Sequence, residues 1–331
     1  MREILLIGHG TRDDDGAEEF RRMVRRIGAA LPAHRLAGCF LEFQAPDIQD
    51  GVDRLVAGGA TEIVAVPVLL LDAGHAMADI PRELARARSR HPAVAIRYGP
   101  HLGFHPNLLA VIGRVLAAVG EDPRRPAPDT ALLMVGRGSR DPVANSNFYK
   151  FSRMVWEHYG YDTVENAFVG LTRPSLPEGL DRVEALGARR IVVVPYFLFT
   201  GRLYRRIVAT VAARQAARPD RTYAVTPYFG LDPLVLDVVR QRVEEAVAGV
   251  STAGQDAWMR PLAEARYGPR EEGHPHPHGH GHEAEQGHAH PDHGHPHADH
   301  HHHYDPPGPS AHPPGRPDGP DARGREEPGA S

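Results

Sequence analysis

The sequence predicts an α/β protein built from two copies of one unit, each a parallel four-stranded sheet flanked by helices, followed by a disordered tail rich in histidine. Three observations carry this. Short apolar runs alternate with helix-periodic stretches through residues 1–250, the pattern that βα units with crossover helices produce. Separated segments recur at one offset of 128 residues: Ile7-Gly8-His9-Gly10-Thr11-Arg12-Asp13 returns as Val135-Gly136-Arg137-Gly138-Ser139-Arg140-Asp141, and Ile63-Val64-Ala65-Val66-Pro67 as Ile191-Val192-Val193-Val194-Pro195. Pro46 and Pro174 stand at the same offset. A constant spacing over several segments marks an internal duplication. The composition then breaks near residue 268.

Within the first copy, Glu3–Gly8 is a short apolar strand leading into a glycine-rich turn and an amphipathic helix over about 17–31. Leu36–Glu42 reads as a second strand and Ile48–Ala57 as a helix stopped by Gly58-Gly59. Ile63–Leu71 is continuously apolar, as a strand buried on both faces would be. Asp79 is the expected cap of the next helix, Val94–Tyr98 a fourth strand and Asn107–Val119 a closing helix. The expected organisation is a first domain over 1–122, a proline-rich linker over 123–128, a second domain over 129–250, an unplaced extension over 251–267, and the tail.

The tail, residues 268–331, holds 15 of the 22 histidines and no Val, Ile, Leu, Met, Phe or Trp. It lacks the apolar area needed to offset the entropy of ordering it. His274, His276, His278, His280 and His282, with His300, His301, His302 and His303, offer many imidazoles for auxiliary capture of Ni²⁺, Co²⁺ or Zn²⁺. A solubilising low-complexity segment is the alternative reading of that composition.

Several function classes are disfavoured. A net charge of −4 lacks the basic excess of a nucleic-acid binder. A single cysteine, Cys39, supplies neither a disulfide framework nor an iron–sulfur cluster within the chain, and it reads as core packing. The longest apolar stretch, Ile63–Leu71, is half of a membrane span, and the N-terminus has no secretory signal, so a cytoplasmic protein with no membrane partner is expected. The one lysine, Lys150, does not complete a P-loop, which argues against ATP, and no dinucleotide fingerprint follows the first strand.

Ligands of open α/β sheets sit at the carboxyl ends of the strands. Those ends carry His9, Glu42 and His75 in the first copy. Two imidazoles and a carboxylate suit Co²⁺, Fe²⁺, Ni²⁺ or Zn²⁺ and can take protons near neutral pH. In the second copy Arg137 stands at the position of His9, Gly170 at that of Glu42, and Arg202 at that of His75 once one deletion is allowed. The duplicated site has exchanged metal ligands for guanidiniums suited to carboxylates or phosphates. Solvent-exposed drift is the competing reading of Arg137 and Arg202.

Gly8-His9-Gly10-Thr11-Arg12, Phe40-Leu41-Glu42 followed by Pro46, and Val66-Pro67-Val68-Leu69-Leu70 leading to Gly74-His75 resemble the sirohydrochlorin chelatases of the CbiX/SirB type, in their long two-domain form, over nearly all of residues 1–250. The resemblance implies two flavodoxin-like, chelatase-like domains facing a cleft, and ATP-independent insertion of a divalent metal into sirohydrochlorin, a polycarboxylated reduced tetrapyrrole. It implies that His9, Glu42 and His75 are catalytic, that His9 and His75 handle the metal, that His9 accepts protons with Glu42 as the accompanying carboxylate, and that Glu42, Leu70, Leu71, Asp72, Ala73, Gly74 and His75 contact the substrate. Arg12, Arg137 and Arg202 are expected to position its carboxylates. The expected metal is Co²⁺, for cobalamin biosynthesis; Fe²⁺, for siroheme, is the alternative, and Ni²⁺ is compatible. The metal is a co-substrate, no cofactor is tightly bound, and the chain is expected to work as a monomer acting as a pseudo-dimer. A metal-storage protein or metallochaperone led by the tail is the reading from another class.

Overall fold

The computed structural model describes residues 1–71, 74–170 and 172–249, and for 74–77 the backbone alone. The first strand, β1 (Arg2–Gly8), has Ile4, Leu5, Leu6 and Ile7 fully buried. Ile4 and Leu6 face one core, Leu5 and Ile7 another. Coverage on both faces explains why the run is continuously apolar instead of alternating. With β2 (Leu36–Phe40), β3 (Glu62–Pro67) and β4 (Ala95–Tyr98) it forms a parallel sheet of order β2-β1-β3-β4. The strands β5 (Thr130–Gly136), β6 (Thr163–Phe168), β7 (Arg190–Pro195) and β8 (Thr222–Val225) form a second parallel sheet of order β6-β5-β7-β8. The 128-residue offset persists in the register, which pairs Ile7 with Pro67 and Val135 with Pro195.

Helices α1 (Asp14–Ala30), α2 (Ile48–Ala57), α3 (Gly74–Arg90) and α4 (Pro106–Ala117) alternate with the first four strands. Their counterparts are α5 (Pro142–Tyr159), α6 (Leu176–Ala185), α7 (Arg202–Ala217) and α8 (Pro233–Ala248). Helix α2 begins at a capping box, in which Asp47 and Asp50 each accept from the other's backbone N–H; Ser175 and Glu178 repeat the device at α6. No helix among the described residues is long and apolar enough to cross a membrane.

The outer faces of the sheets carry separate cores, under α2 and α3 in one half and α6 and α7 in the other. The inner faces share one core that runs from Ile4, Leu6 and Val66 to Met134, Val194 and Phe151. Across it the last helices are exchanged: α4 packs on β7 and α8 packs on β3 and α1. Gly99 is a glycine because a Cβ there would press on Ala246 of α8 at 2.7 Å. Arg242 of α8, buried to 4 % exposure, donates to the carbonyls of Leu102 and Phe104 in the first half. Reciprocally, Arg190 of the second half donates to the Val119 carbonyl and pairs with Glu121.

Two expectations need correction. The apolar run Ile63–Leu71 is strand only to Pro67, which has no N–H to continue the ladder. Past Val68, whose N–H still reaches the Ile7 carbonyl, the segment leaves the sheet as loop. Asp79 does not cap α3; the helix starts five residues earlier at Gly74, and Asp79 pairs with Arg82 inside it at 2.7 Å. The extension 251–267 and the tail with its histidines lie outside the described residues.

Candidate active site

His9 follows β1 directly, and a tight turn sets its side chain. Gly10 has φ of +94°, and a Cβ there would collide with the Glu42 carbonyl oxygen. The loop after β2 therefore lies against the His9 turn, where the Glu42 N–H donates to the His9 carbonyl (3.1 Å) and the Leu41 N–H to that of Gly8 (2.9 Å). This crossing puts Glu42 Oε1 3.2 Å from His9 Nδ1. On the other side of the ring, Arg137 Nη1 lies 2.8 Å from His9 Nε2. A guanidinium only donates, so Nε2 is the acceptor and the neutral ring carries its proton on Nδ1, facing the carboxylate.

His9 and Arg137 are the same position in the two copies, so the two halves meet residue against equivalent residue. The second copy keeps the turn, with Gly138 at φ +80°. It has no room for the carboxylate, because a Cβ at Gly170 would collide with the Arg137 carbonyl oxygen. Arg202 opens α7 as Gly74-His75 opens α3. Of the segment expected to contact substrate, Asp72 and Ala73 lie outside the described residues, as does the His75 side chain.

Two cavities meet at the His9–Arg137 pair, of about 430 and about 900 Å³. Both lie in the size range of small-molecule and cofactor sites. Leu69 and Leu70 line both, Leu71 the larger; the apolar residues that overrun β3 thus wall the cleft. Arg12 and Arg202 line the smaller, Arg140 the larger, Arg137 both. Glu42 lines neither and stands behind His9. Arg12 stacks on Phe43 at 4.8 Å. Among the described residues none of these four arginines is paired with a carboxylate, whereas Arg205 nearby is held by Asp13 and Asp15. Four unneutralised guanidiniums around apolar walls fit an anionic ligand with an apolar body.

Reading the sequence did not single out the aromatic walls, among them Phe20, Phe40, Phe197, Phe199 and Tyr204 in the smaller cavity, Phe148 and Phe168 in the larger, and Tyr196 in both. Phe43 joins the smaller with half of its surface exposed and φ of +67°. The signal was present in Phe40-Leu41-Glu42-Phe43 and Tyr196-Phe197-Leu198-Phe199, aromatic residues at or just past strand ends. Arg140 was also passed over. Burial pushes the Tyr196 phenol up, so it stays protonated. Glu19 of α1 ties the first half to the second by accepting from the Thr200 N–H (2.9 Å) and the Tyr228 hydroxyl (2.6 Å). Burial, then Glu19, pushes Tyr228 up to about 12.

The CbiX family model matches this chain twice, over residues 3–119 and 131–246. The chain belongs to the CbiX family. The two matches coincide with the two sheets, so each half is a CbiX unit. A sirohydrochlorin cobaltochelatase of Priestia megaterium is 37% identical over 250 residues, covering 75% of this chain and 81% of that protein. A sirohydrochlorin ferrochelatase of the same organism is 30% identical over 244 residues, covering 74% and 90%. Among solved structures, SirB from Bacillus subtilis with Fe³⁺ superposes with a TM-score of 0.67 at 30% identity, covering 75% of this chain and 96% of that one. This CbiX chain thus has the two-sheet chelatase fold along the length of those relatives.

Proposed function

We propose that the chain is an ATP-independent sirohydrochlorin chelatase with one active site, carried by the first half. The observation that bears most weight is the His9 ring at the junction of the two cavities, with Glu42 at Nδ1 and an acceptor Nε2 turned to the cleft. In this reading the macrocycle lies along the aromatic walls, its peripheral carboxylates on Arg12, Arg137, Arg140 and Arg202. The metal, a substrate, is delivered from His9 Nε2 with His75, and few protein ligands let it leave. Insertion releases two protons from pyrrole nitrogens as M²⁺ enters. His9 Nε2 takes one proton as the metal departs and solvent takes the other, and Glu42 stabilises the imidazolium from Nδ1 before solvent removes the first.

Cobalt is the favoured metal, supported by 37% identity to the cobaltochelatase against 30% to the ferrochelatase. Insertion of Fe²⁺ is the second reading, because the same residues serve either ion. Initial rates of the absorbance change of sirohydrochlorin with Co²⁺, Fe²⁺ or Ni²⁺, without ATP, test both. Fastest turnover with Co²⁺ supports the first reading, fastest with Fe²⁺ the second, and no spectral change with any metal refutes the chelatase. The arrangement within one chain supports a working monomer acting as a pseudo-dimer.

A further inference from the structure

We propose that Arg137 guards His9, occupying in the resting chain the lone pair that receives the metal, and that a tetrapyrrole carboxylate draws it away, so that the macrocycle binds before the metal. The proposal rests on the reading of His9 as the metal-handling residue.

An imidazole nitrogen has one lone pair. At His9 Nε2 an Arg137 N–H takes it at 2.8 Å. A guanidinium never gives up its charge under ordinary conditions. A divalent ion approaching Nε2 therefore meets both a filled acceptor and a neighbouring positive charge. Glu42 does not relieve this, because it faces Nδ1 on the opposite side of the ring.

The guard is built to leave. Arg137 is exposed, and among the described residues no carboxylate holds it. A neutral imidazole accepts one N–H from it, whereas a carboxylate accepts two in parallel and carries the opposite charge, which makes the stronger bond. Arg137 also lines both cavities, as His9 does, so a ligand in either one reaches it. Its position follows from the duplication. Residues 9 and 137 are equivalent and meet across the cleft, so a histidine retained at 137 would have set imidazole against imidazole. Arginine there leaves one metal-binding ring and places a displaceable cation on it.

The test is a metal-buffered Co²⁺ titration of the full chain, comparing wild type, Arg137→Leu, His9→Ala and the double variant; the tail is common to all, so differences report the site. The proposal expects Arg137→Leu to bind one equivalent of Co²⁺ about tenfold more tightly than wild type, a gain lost in the double variant. Its KM for sirohydrochlorin is expected to rise at least several-fold, and excess Co²⁺ to inhibit it where wild type is unaffected. Arg137→Lys, which keeps a charge but not the fork, is expected to stay near wild type in Co²⁺ affinity. If Arg137→Leu binds Co²⁺ no more tightly than wild type while His9→Ala weakens binding, the guard is overturned and the reading of His9 stands. If His9→Ala changes neither Co²⁺ binding nor rate, the reading of His9 falls and the guard with it.

Discussion

Glu42 Oε1 lies 3.2 Å from His9 Nδ1 although 33 residues separate them, and the contact depends on Gly10, whose missing Cβ lets the loop after β2 cross the His9 turn. A carboxylate behind an imidazole fixes its tautomer and steadies the protonated ring. Glu42→Gln keeps the size and removes the charge; chelation is expected to fall by about 10- to 100-fold at saturating metal, as measured by absorbance. KM for the tetrapyrrole should change little, because Glu42 lines neither cavity.

Phe43 is an exposed aromatic residue beside Arg12 on the smaller cavity. Phe43→Ala removes a stacking surface worth about 0.5–1.5 kcal/mol, so KM for sirohydrochlorin should rise roughly two- to tenfold. The thermal midpoint should stay near that of wild type, since the ring is outside the core. Steady-state kinetics beside a thermal melt separate the two effects.

The exchanged helices make the halves one folding unit. Arg242→Ala strips the Leu102 and Phe104 carbonyls of their buried donor. A loss of about 2–4 kcal/mol is expected from urea denaturation. Wild type and variant should each unfold in a single transition, because the inner core is shared by both sheets. Two resolved transitions would contradict the shared core.

His105 caps α4, its Nδ1 accepting from the Asn107 N–H at 3.1 Å while Nε2 faces Gln241 of α8 at 3.1 Å. Burial holds the imidazole below its ordinary 6.5; Arg242 pushes the same way, and Gln241, Glu245 and Asp237 oppose. The folded state therefore prefers the neutral ring. Its contribution to stability is complete above about pH 6.5 and is lost as the pH falls from there through the lowered folded value. His105→Asn keeps a capping side chain without the titration, and should flatten the pH dependence of the thermal midpoint in that acidic window.

Residues 268–331 carry 15 histidines. As a proposed reservoir of metal, their removal should leave the rate unchanged with saturating Co²⁺ and lower it when Co²⁺ is buffered to scarcity. Equal loss in both regimes would count against that role.

Much of this was legible in the residues. The offset of 128 anticipated both sheets, because backbone pairing follows a pattern of apolar runs and turns that duplication preserves. Helix α2 spans Ile48–Ala57 and stops at Gly58, as the residues led one to expect. The neighbourhood of His9 and Glu42 also followed from strand ends sharing a sheet edge. The exchange of α4 and α8 did not, since an apolar stripe records that a face is buried and not what buries it. Val68–Leu71 passed for strand because apolarity is common to a central strand and a cavity wall. Asp79 passed for a cap because an Asp with Glu83 a turn later suits a helix start as well as the first turns of a helix already begun. The contact of Arg137 with His9 lies beyond any local pattern, since it arises where the two copies meet.

The central claim is that His9 in the first half carries metal insertion. It is tested most directly by the initial rate of sirohydrochlorin metallation by His9→Ala at saturating Co²⁺ without ATP, with circular dichroism to verify folding. A folded variant slowed by about 100-fold or more is the predicted result. A folded variant at the wild-type rate would contradict it.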